Sequence, residues 1–512
     1  MAAGAQPWLY PGNELEGRRV TPPVTVVGAG PTGLMLAGEL RLAGIDVRLI
    51  DRLARPSGES RGLGFTPRTM ETFTQRGLLE RYGDIVTSPS GHFGGIPVDF
   101  GVLPGAHFAV KDVPQDRTEA VLTEWLAELG VQVLREHELV GLEEDSDGVT
   151  LDIRTPHGGQ QLRSSYVAGC DGGRSTVRRL GGFDFPGTTS TMEMFLADVT
   201  DCEIRQRPIG EAVPGGMAMS AQIRPGTYRI IVCEIGAAPG DRTGPPSEAE
   251  VCAAWQRLTG QDISGATMLW RSAFGNAARQ VTEYRCGRVL LAGDAAHVHL
   301  PAGGQGMNVG IQDAVNLGWK LGAVARGTSS GELLDTYHGE RHPVGARTLV
   351  NTRAQGLLYL TGSEMEPLRN VFRELIAYED VSRHLAAMIS GLDIQYDVGP
   401  GGHPLLGRRL PEQELITDVG KTTTLTLLRG ARGVLLDLAG DPSLTKTADG
   451  WRDRVDMVTA ALHEGESGSP LGGVAALLIR PDGYVAWTRP DGGDLTAALR
   501  RWFGSENGLG QS

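Results

Sequence analysis

The chain has 512 residues, of which 40% are hydrophobic and 21% charged, and this length allows two or three domains with buried cores. Its formal net charge of −13 argues against a nucleic-acid-binding protein and against attachment to an anionic membrane surface. Five scattered cysteines without a C-x-x-C pair argue against a disulfide framework, and they favour reduced thiols in the cytoplasm. Residues 1–20 lack the pattern of a signal peptide and are predicted to form a loose arm. No stretch reaches the roughly 18 apolar residues that a membrane helix needs.

The first predicted unit is a strand, a glycine turn, an amphipathic helix and a second strand over residues 24–52. In its turn "GAGPTG", Gly28 permits the tight bend and Gly30 lets the backbone approach a pyrophosphate. Gly33 allows close packing of the helix, and Asp51 ends the second strand where an acid would accept from ribose hydroxyls. The pattern predicts a dinucleotide site, and at this step both NAD and FAD fit it.

A predicted helix over residues 114–130 and a hairpin that turns at Asp147-Gly148 follow along the chain. The next motif is "CDGGRSTVR", residues 170–178. Taken alone, this motif is best explained as an ordinary turn that requires Asp-Gly. Residues 21–186 are therefore assigned to the first part of a doubly wound α/β domain.

Residues 187–285 change in character, because apolar and polar residues alternate there as in antiparallel strands. They are predicted to form a sheet domain inserted into the first domain. Arg271, Arg279 and Tyr228 are candidates for orienting a substrate, although surface arginines and half-buried strand tyrosines produce the same pattern.

The chain then returns to the first domain over residues 286–397, through "GDAAHVHLPAGGQGMN" after an apolar strand. Asp294 stands at the carboxyl end of that strand, where it can accept from a sugar or ribitol hydroxyl. Residues 301–308 offer free amides at the start of a helix, which suits an electron-rich ring edge. Two contact regions so far apart in sequence favour FAD in an extended form over NAD. His297 and His299 are predicted to pack or hydrogen-bond beside the cofactor, since no ligand set for a metal lies near them.

Residues 398–413 are rich in glycine and proline and are predicted to be a linker, followed by a compact α/β domain that extends to residue 512.

With these three motifs in this order, the chain resembles the single-component FAD-dependent aromatic hydroxylases, the family of para-hydroxybenzoate hydroxylase and phenol hydroxylase. It is most similar to the bacterial members that modify anthracycline-type and angucycline-type polyketides. The resemblance covers residues 24–504. It implies a doubly wound FAD-binding domain, an inserted substrate sheet and a C-terminal thioredoxin-like domain, the last without any cysteine. That domain is expected to serve packing or dimer formation, and a homodimer is possible.

The resemblance also assigns cofactor contacts to individual residues. The pyrophosphate would lie on "GAGPTG", the adenosine ribose beside Asp51, and the ribityl chain beside Asp294. Asp171 would serve both FAD and the nicotinamide cofactor. Glu340 and Arg341, in "YHGERHPVGA", are predicted to form a structural pair. The complete set of predicted cofactor contacts is Gly28, Gly30, Pro31, Thr32, Gly33, Asp51, Arg52, Arg61, Gln115, Asp171, Gly293, Asp294, Pro301, Gly303, Gly304, Gly306, Met307 and Asn308.

The implied activity is a monooxygenase reaction in which NADPH or NADH reduces the flavin. O2 then forms a flavin C4a-hydroperoxide that hydroxylates a polycyclic aromatic polyketide. Baeyer–Villiger insertion, epoxidation and inactivation of an antibiotic remain open, because they differ only in the pose of the substrate. A flavin reductase or dehydratase that does not use O2 also stays open at this step, as does a non-catalytic FAD-binding module.

Overall fold

A computed structural model describes residues 22–58, 60–85, 87–103, 110–111, 113–240, 242, 244–463 and 469–506. The predicted N-terminal arm lies outside these residues. The elements up to the inserted sheet are β1 (Val24–Val27), α1 (Pro31–Leu42), β2 (Val47–Ile50), α2 (Pro67–Gln75), β3 (Thr87–Ser88), β4 (Ser90–Phe93), β5 (Ile96–Asp99), β6 (Val110–Lys111), α3 (Gln115–Glu128), β7 (Val133–Leu134), β8 (Glu138–Asp145), β9 (Gly148–Thr155), β10 (Gly158–Ser164), β11 (Tyr166–Gly169), α4 (Thr176–Leu180) and β12 (Gly187–Thr188).

The remaining elements include the inserted sheet, four long helices and a C-terminal α/β region. They are β13 (Glu193–Thr200), β14 (Arg207–Val213), β15 (Gly216–Arg224), β16 (Thr227–Glu234), α5 (Glu248–Thr259), β17 (Thr267–Gly275), β18 (Ala278–Gln280), β19 (Arg285–Cys286), β20 (Val289–Leu291), β21 (His297–Val298), α6 (Gln305–Ala325), α7 (Glu332–Tyr359), α8 (Glu366–Ile376), α9 (Glu379–Ser390), β22 (Glu414–Thr417), β23 (Gly420–Thr423), β24 (Gly433–Asp437), α10 (Pro442–Ala448), β25 (Val455–Thr459), β26 (Ala461–Leu462), β27 (Ala476–Ile479), β28 (Val485–Arg489) and α11 (Leu495–Phe503).

The first domain is built on a six-stranded sheet with the order β19-β20-β11-β1-β2-β7. All neighbours in it are parallel except the edge pair β19 and β20. Its central strands are buried on both faces, which explains why β1 and β20 read as continuous apolar runs. Because parallel strands point the same way, the loops after β1, β2, β11 and β20 meet at one edge of the sheet. These loops are the ones that carry the sequence motifs.

The inserted sheet is antiparallel, as predicted, and has the strand order β14-β15-β16-β13-β17. Helix α5 covers one face, where Ala197, Ile230 and Trp255 belong to one buried cluster. The opposite face carries Met194 and Met217, which cluster with Leu300 of the first domain. Strands β12 and β18 form a separate small sheet with β21.

The C-terminal region contains a mixed sheet with the order β25-β24-β27-β28, in which only β24 and β25 are parallel. Its thioredoxin-like assignment stays a prediction. The segment predicted as a linker is hydrogen-bonded on both sides. The Tyr396 amide donates to the Gly407 carbonyl at 2.8 Å, and the Gly407 amide donates to the Val485 carbonyl at 2.9 Å.

A buried ionic cluster joins this C-terminal region to α6 and α7. Glu340 accepts from Lys320 at 2.8 Å and from Arg480 at 2.6 Å. Arg480 also donates to Asp482 at 3.0 Å, and none of these four residues is more than 7% exposed. Glu340 therefore does not pair with Arg341, and that prediction was wrong. No helix among the residues described above is long and apolar enough to cross a membrane.

Candidate active site

The turn after β1 leaves space at one of its three glycines and none at the other two. A Cβ at Gly28, whose φ is +103°, would lie 2.5 Å from the Cys170 carbonyl oxygen. A Cβ at Gly33 would lie 1.9 Å from the Gly28 carbonyl oxygen. At Gly30, in contrast, a Cβ would meet no atom of the described residues within 4 Å. Packing therefore explains Gly28 and Gly33, whereas Gly30 faces open space.

The helix that follows this turn starts without a side-chain cap. Gly30 is the N-cap of α1 and Pro31 is its first residue, so the amides of Thr32 and Gly33 have no capping side chain. Such amides, at the positive end of a helix dipole, are suited to a phosphate. The Thr32 side chain does not cap these amides but packs beside Gly293. A Cβ at Gly293 would lie 2.7 Å from the Thr32 hydroxyl oxygen.

Asp51 stabilises the glycine turn in addition to any role with a ribose. Its carboxylate accepts from the Ala29 amide and from the Leu53 amide, both at 2.8 Å. Arg135 lies 3.7 Å from one carboxylate oxygen. The neighbouring Arg52 is exposed. A carboxylate with two oxygens can accept further hydrogen bonds, so these contacts leave room for sugar hydroxyls.

Asp171, after β11, caps the short helix α4. It accepts from the Thr176 amide at 2.6 Å and the Val177 amide at 3.1 Å, and also from the Ser175 hydroxyl. These contacts give Asp171 a structural role at the start of α4, and its role toward FAD stays a prediction. Arg178 of the same motif donates to the Ala295 carbonyl at 2.9 Å, which fixes it to the loop after β20.

That loop presents a carboxylate to the exterior. Asp294 is exposed, and no described residue forms a hydrogen bond or salt bridge with it. The preceding Gly293 has φ +61°, and its amide donates to buried Asp313 at 3.1 Å. The backbone is therefore held from behind while the Asp294 side chain faces outward.

Residues 301–308, here called the ring loop, form a short turn and the first residues of α6. The Gly304 amide donates to the Pro301 carbonyl at 3.2 Å, and Gly303 and Gly304 have φ values of +68° and +66°. Within the part of the chain that the structure describes, a Cβ at Gly304 would meet no atom within 4 Å. Gly304 is also the N-cap of the 21-residue α6, which has no side-chain cap. The ring loop thus combines an open glycine surface with uncapped amides.

Other predicted contacts hold the ring loop in place. Asn308 accepts from the Thr66 amide at 2.9 Å and donates to the Gly304 carbonyl at 2.8 Å. A Cβ at Gly62 would lie 3.3 Å from Met307, so Met307 packs against the segment that carries Arg61. Gly306 faces the ring of His299, at 3.7 Å from a Cβ position.

Gln115 and Arg61 border the same space. The Gly62 amide donates to the Gln115 side-chain oxygen at 3.3 Å, and Gln115 donates to Glu119 at 2.9 Å. Arg61 donates to the Ser272 hydroxyl at 3.1 Å, across to the inserted sheet. The structure therefore brings together residues that are more than 200 positions apart in the sequence.

Of the three candidates for orienting a substrate, Tyr228 and Arg271 lie on the far face of the inserted sheet, whereas Arg279 lies beside the loop after β20. Tyr228 belongs to the cluster beneath α5. Arg271 pairs in register with Ala197 of that cluster and donates to the Pro246 carbonyl at 2.6 Å. Both side chains are on the sheet face opposite the first domain. Arg279 lies in the small sheet beside β21, with its guanidinium over the Phe185 ring.

The sequence analysis did not predict a role for Asp313, a buried residue that bonds to Gly293 and His297 in the loop after β20. Asp313 lies 2.7 Å from His297 and accepts from Arg341 at 2.7 Å. Burial alone would raise the pKa of Asp313, but Arg341 and His297 outweigh it and hold that pKa below its usual range. Burial lowers the pKa of His299, whose Nδ1 donates to the Leu300 carbonyl at 2.8 Å. A signal for Asp313 was available, because an acid within an apolar helix must be paired.

These features fit an FAD molecule in extended form. The open position at Gly30, the uncapped α1 amides, the outward Asp294 and the open Gly304 lie along one edge of the sheet. A flat ring would fill the space in which a Cβ at Gly304 meets nothing. Glycine is required there both for its left-handed backbone and for this close approach.

A family model described as an FAD binding domain matches residues 21–352, and one described as the aromatic-ring hydroxylase C-terminal domain matches residues 403–505. The chain belongs to the FAD-dependent aromatic-ring hydroxylases. Its relatives confirm the predicted fold and the class of enzyme.

CabE, an aromatic hydroxylase from angucycline biosynthesis, has a crystal structure that is similar to this hydroxylase with a TM-score of 0.93. The two are 61% identical, and the match covers 95% of this chain and 100% of that one. The 12-dehydrotetracycline 5-monooxygenase/anhydrotetracycline 6-monooxygenase of Streptomyces rimosus is 44% identical over 499 residues, covering 94% of this chain and 98% of that protein. This hydroxylase is therefore a flavoprotein monooxygenase.

The dialkyldecalin synthase of Streptomyces rugosporus is also a relative, although its name does not describe a monooxygenase. It is 38% identical over 491 residues, covering 94% of this chain and 98% of that protein.

Proposed function

We propose that this hydroxylase introduces an oxygen atom into a polycyclic aromatic polyketide, with FAD as bound cofactor and with NAD(P)H and O2 as co-substrates. The supporting observation is the face of the inserted sheet that lies over the ring loop. Its buried residues Met194, Met217 and Cys233 pack with Leu300 and Ala302 beside the ring loop and with Tyr359 and Leu360 at the end of α7. The partly buried residues of the same face are Met192, Met219, Ile231 and Phe274. An apolar, sulfur-rich surface of this kind suits a flat ring system.

Each part of the site has a proposed role toward FAD. The α1 amides near Gly30 would bind the pyrophosphate, and Asp51 would accept from the adenosine ribose. Gln115 and Asp294 would contact the ribityl chain. The α6 amides would face the ring, with Arg61 and Met307 at its border. Asp171 would act indirectly, because its carboxylate already caps α4.

The overall reaction consumes one NAD(P)H, one proton and one O2. A substrate C–H bond is replaced by C–OH, the nicotinamide is oxidised by two electrons, and the second oxygen atom leaves as water. Bound FAD supplies the redox chemistry and the activation of O2. The chain contributes the apolar walls that exclude water, the amides at the ring edge and the surface that orients the substrate. The need for NAD(P)H and the reduced thiols support a cytoplasmic location.

The experiment that tests this proposal is turnover with NADPH in isotopically heavy oxygen gas, with a panel of anthraquinone and angucyclinone phenols. One heavy oxygen atom in the product is expected, as measured by mass spectrometry. The structure of a labelled product then separates hydroxylation from Baeyer–Villiger insertion or epoxidation. A rearranged or reduced product without label would contradict the proposal and favour chemistry without O2, to which the name of the dialkyldecalin synthase points.

The FAD contacts are tested with Asp294→Ala. Because this carboxylate has no hydrogen-bond partner in the described chain, its loss should leave stability unchanged and raise the Kd for FAD about tenfold or more. Asp418→Ala, at another exposed aspartate, is the matched control. Equal FAD affinity in the two variants, measured by flavin fluorescence, would remove Asp294 from the site.

A further inference from the structure

Three buried side-chain amides form a continuous chain from the ring loop to the turn between β4 and β5. Gln305 donates to the Ala302 carbonyl at 3.4 Å, and its oxygen accepts from Asn351 at 3.1 Å. The Asn351 oxygen accepts from Gln355 at 3.0 Å. The Gln355 oxygen accepts from the Gly94 amide at 3.2 Å. Each amide thus donates toward the ring loop and accepts from the side of the hairpin.

Every amide nitrogen and oxygen of the chain has a hydrogen-bond partner, and all three side chains are buried. Gln305 and Asn351 are each 4% exposed, and Gln355 is 0% exposed. A buried amide that loses a hydrogen-bond partner costs free energy, so removing one member of the chain weakens the placement of its neighbours. Asn351 and Gln355 are four residues apart on α7, which places them on the same side of that helix.

At one end, the amides form the floor under the glycine turn of the ring loop. A Cβ at Gly303 would lie 3.4 Å from the Gln305 nitrogen and 3.4 Å from both polar atoms of the Gln355 amide. The backbone of Gly303, with φ +68°, therefore rests directly on the chain. A shift of the amides would move the surface on which we place the flavin ring.

At the other end, the hairpin contacts the inserted sheet through Tyr359. A Cβ at Gly95 would lie 2.9 Å from the Tyr359 ring, and His92 stacks on the same ring with centroids 5.9 Å apart. The Tyr359 hydroxyl donates to the Ile209 carbonyl in β14. Tyr359 also borders the apolar face proposed for the substrate.

We propose that Gln305, Asn351 and Gln355 are positioning residues that set the placement of the ring loop and link it to the hairpin beside the substrate face. This inference deepens the proposed function and rests on it for the identity of the substrate. Asn351 and Gln355 lie on α7, outside the ring loop, so their effect on FAD would pass through Gln305 and the Ala302–Gly304 turn.

The test uses full-length protein with Asn351→Leu, Gln355→Leu and the double variant. Thr352→Val is the matched control, because Thr352 is fully buried on the same helix but its hydroxyl bonds only to that helix. The measurements are the melting temperature, the Kd for FAD from flavin fluorescence, and the visible flavin spectrum with and without dihydroxyanthraquinone. The fraction of consumed NADPH that appears as hydrogen peroxide is measured as well.

We expect each single leucine variant to raise the Kd for FAD about tenfold and to weaken the spectral response to dihydroxyanthraquinone. The double variant should have the same Kd for FAD as the more severe single variant, because both substitutions interrupt the same hydrogen-bond chain and their effects are not additive. Thr352→Val should stay within about twofold of wild type.

Two results would overturn the inference: wild-type FAD affinity in folded Asn351→Leu, or effects of the two single variants that multiply. If Asn351→Leu does not fold, Gln355→Met applies the same test at the next amide. FAD affinity reports on the chain even if dihydroxyanthraquinone produces no response. A wild-type enzyme that binds FAD but accepts no polycyclic phenol contradicts the proposed function and leaves this inference standing.

Discussion

The edge that carries the FAD motifs and the ionic cluster beneath the C-terminal region use polar residues in opposite ways. In the cluster, Glu340, Lys320, Arg480 and Asp482 are all buried and all paired. At the edge, Asp294 is exposed without a hydrogen bond in the described chain, and Gly30 and Gly304 face open space. Charge and burial alone would select the cluster as the active site. The edge is selected instead by its open glycines and uncapped helix amides, which give a ligand both space and hydrogen-bond donors.

The cluster therefore attaches the C-terminal region to helices α6 and α7. Separating charges from water is costly, and close pairing offsets this cost only while every partner is present. Trp319 and Asn316 complete the arrangement by donating to Asp482, both at 3.2 Å. The comparison makes four predictions, which differ in the property that each variant should change.

The largest effect is expected for Arg480→Met. It leaves Glu340 and Asp482 with too few cations, so the free energy of unfolding should fall by about 3–5 kcal/mol. Arg489→Met, which removes an exposed pair with Asp441, should cost about 1 kcal/mol or less. Urea unfolding of both variants checks this, and equal midpoints would show that the cluster does not hold the domains together.

Gly304→Val should abolish most FAD binding, with a Kd raised about 100-fold, because its side chain would occupy the space assigned to the ring. Gly327→Val is matched in backbone and exposure, with φ +71° against +66° and no atom within 4 Å in either case. Both variants bear a similar strain of about 1–2 kcal/mol. FAD titration should separate them, and equal affinities would mean that the ring lies elsewhere.

A smaller effect is expected for the pH dependence of the stability that Glu340 contributes. Burial alone would raise its pKa, but Arg480 and Lys320 outweigh burial and hold the pKa at about 2, below the ordinary 4.5. A depressed acid pKa contributes stability above the unfolded-state value, and this is lost as pH falls from 4.5 toward 2. The stability gap between wild type and Glu340→Gln should thus be constant near neutral pH and shrink in acid. Urea midpoints between pH 7 and pH 3 measure it, and a gap that widens in acid would contradict the assignment.

The smallest effects are expected for Tyr228→Phe and Arg271→Met. Since both residues lie on the α5 face, kcat/KM should stay within about twofold of wild type. Phe274→Ala, on the opposite face, should lower kcat/KM about tenfold through lost substrate contact. Steady-state kinetics that reversed this order would exchange the roles of the two faces.

The glycine turns at the edge of the six-stranded sheet could be predicted from the sequence, because each depends on residues that are close together in the chain. A strand, a glycine turn and a helix occur within a few residues at Gly28–Gly33 and again at Gly293–Gly304. The sequence could not show whether Tyr228 faces α5 or the first domain. Alternation indicates which residues share a face of the sheet, but not what packs against that face. Only the packing of α5 decides that.

Partners distant in sequence were equally hidden. Glu340 and Arg341 are adjacent, yet successive helix residues point about 100° apart, so each finds its own partner. Asp171 shows another limit, because its motif did not reveal that the carboxylate bonds to the first amides of α4. Its role toward the cofactor stays a prediction.

The tight attachment of the C-terminal region also bears on movement. Besides the cluster, Arg76 donates to the Leu428 and Pro481 carbonyls, both at 2.8 Å, while paired with buried Glu39. With its connecting segment bonded on both sides, this region cannot swing as a separate lobe without exposing unpaired charges. For the proposed reaction, we therefore expect access for NAD(P)H and release of the product to depend on the flavin, the hairpin or the inserted sheet. Two units that the sequence separates are thus joined by buried, paired charges, and we expect any opening to occur on the substrate side.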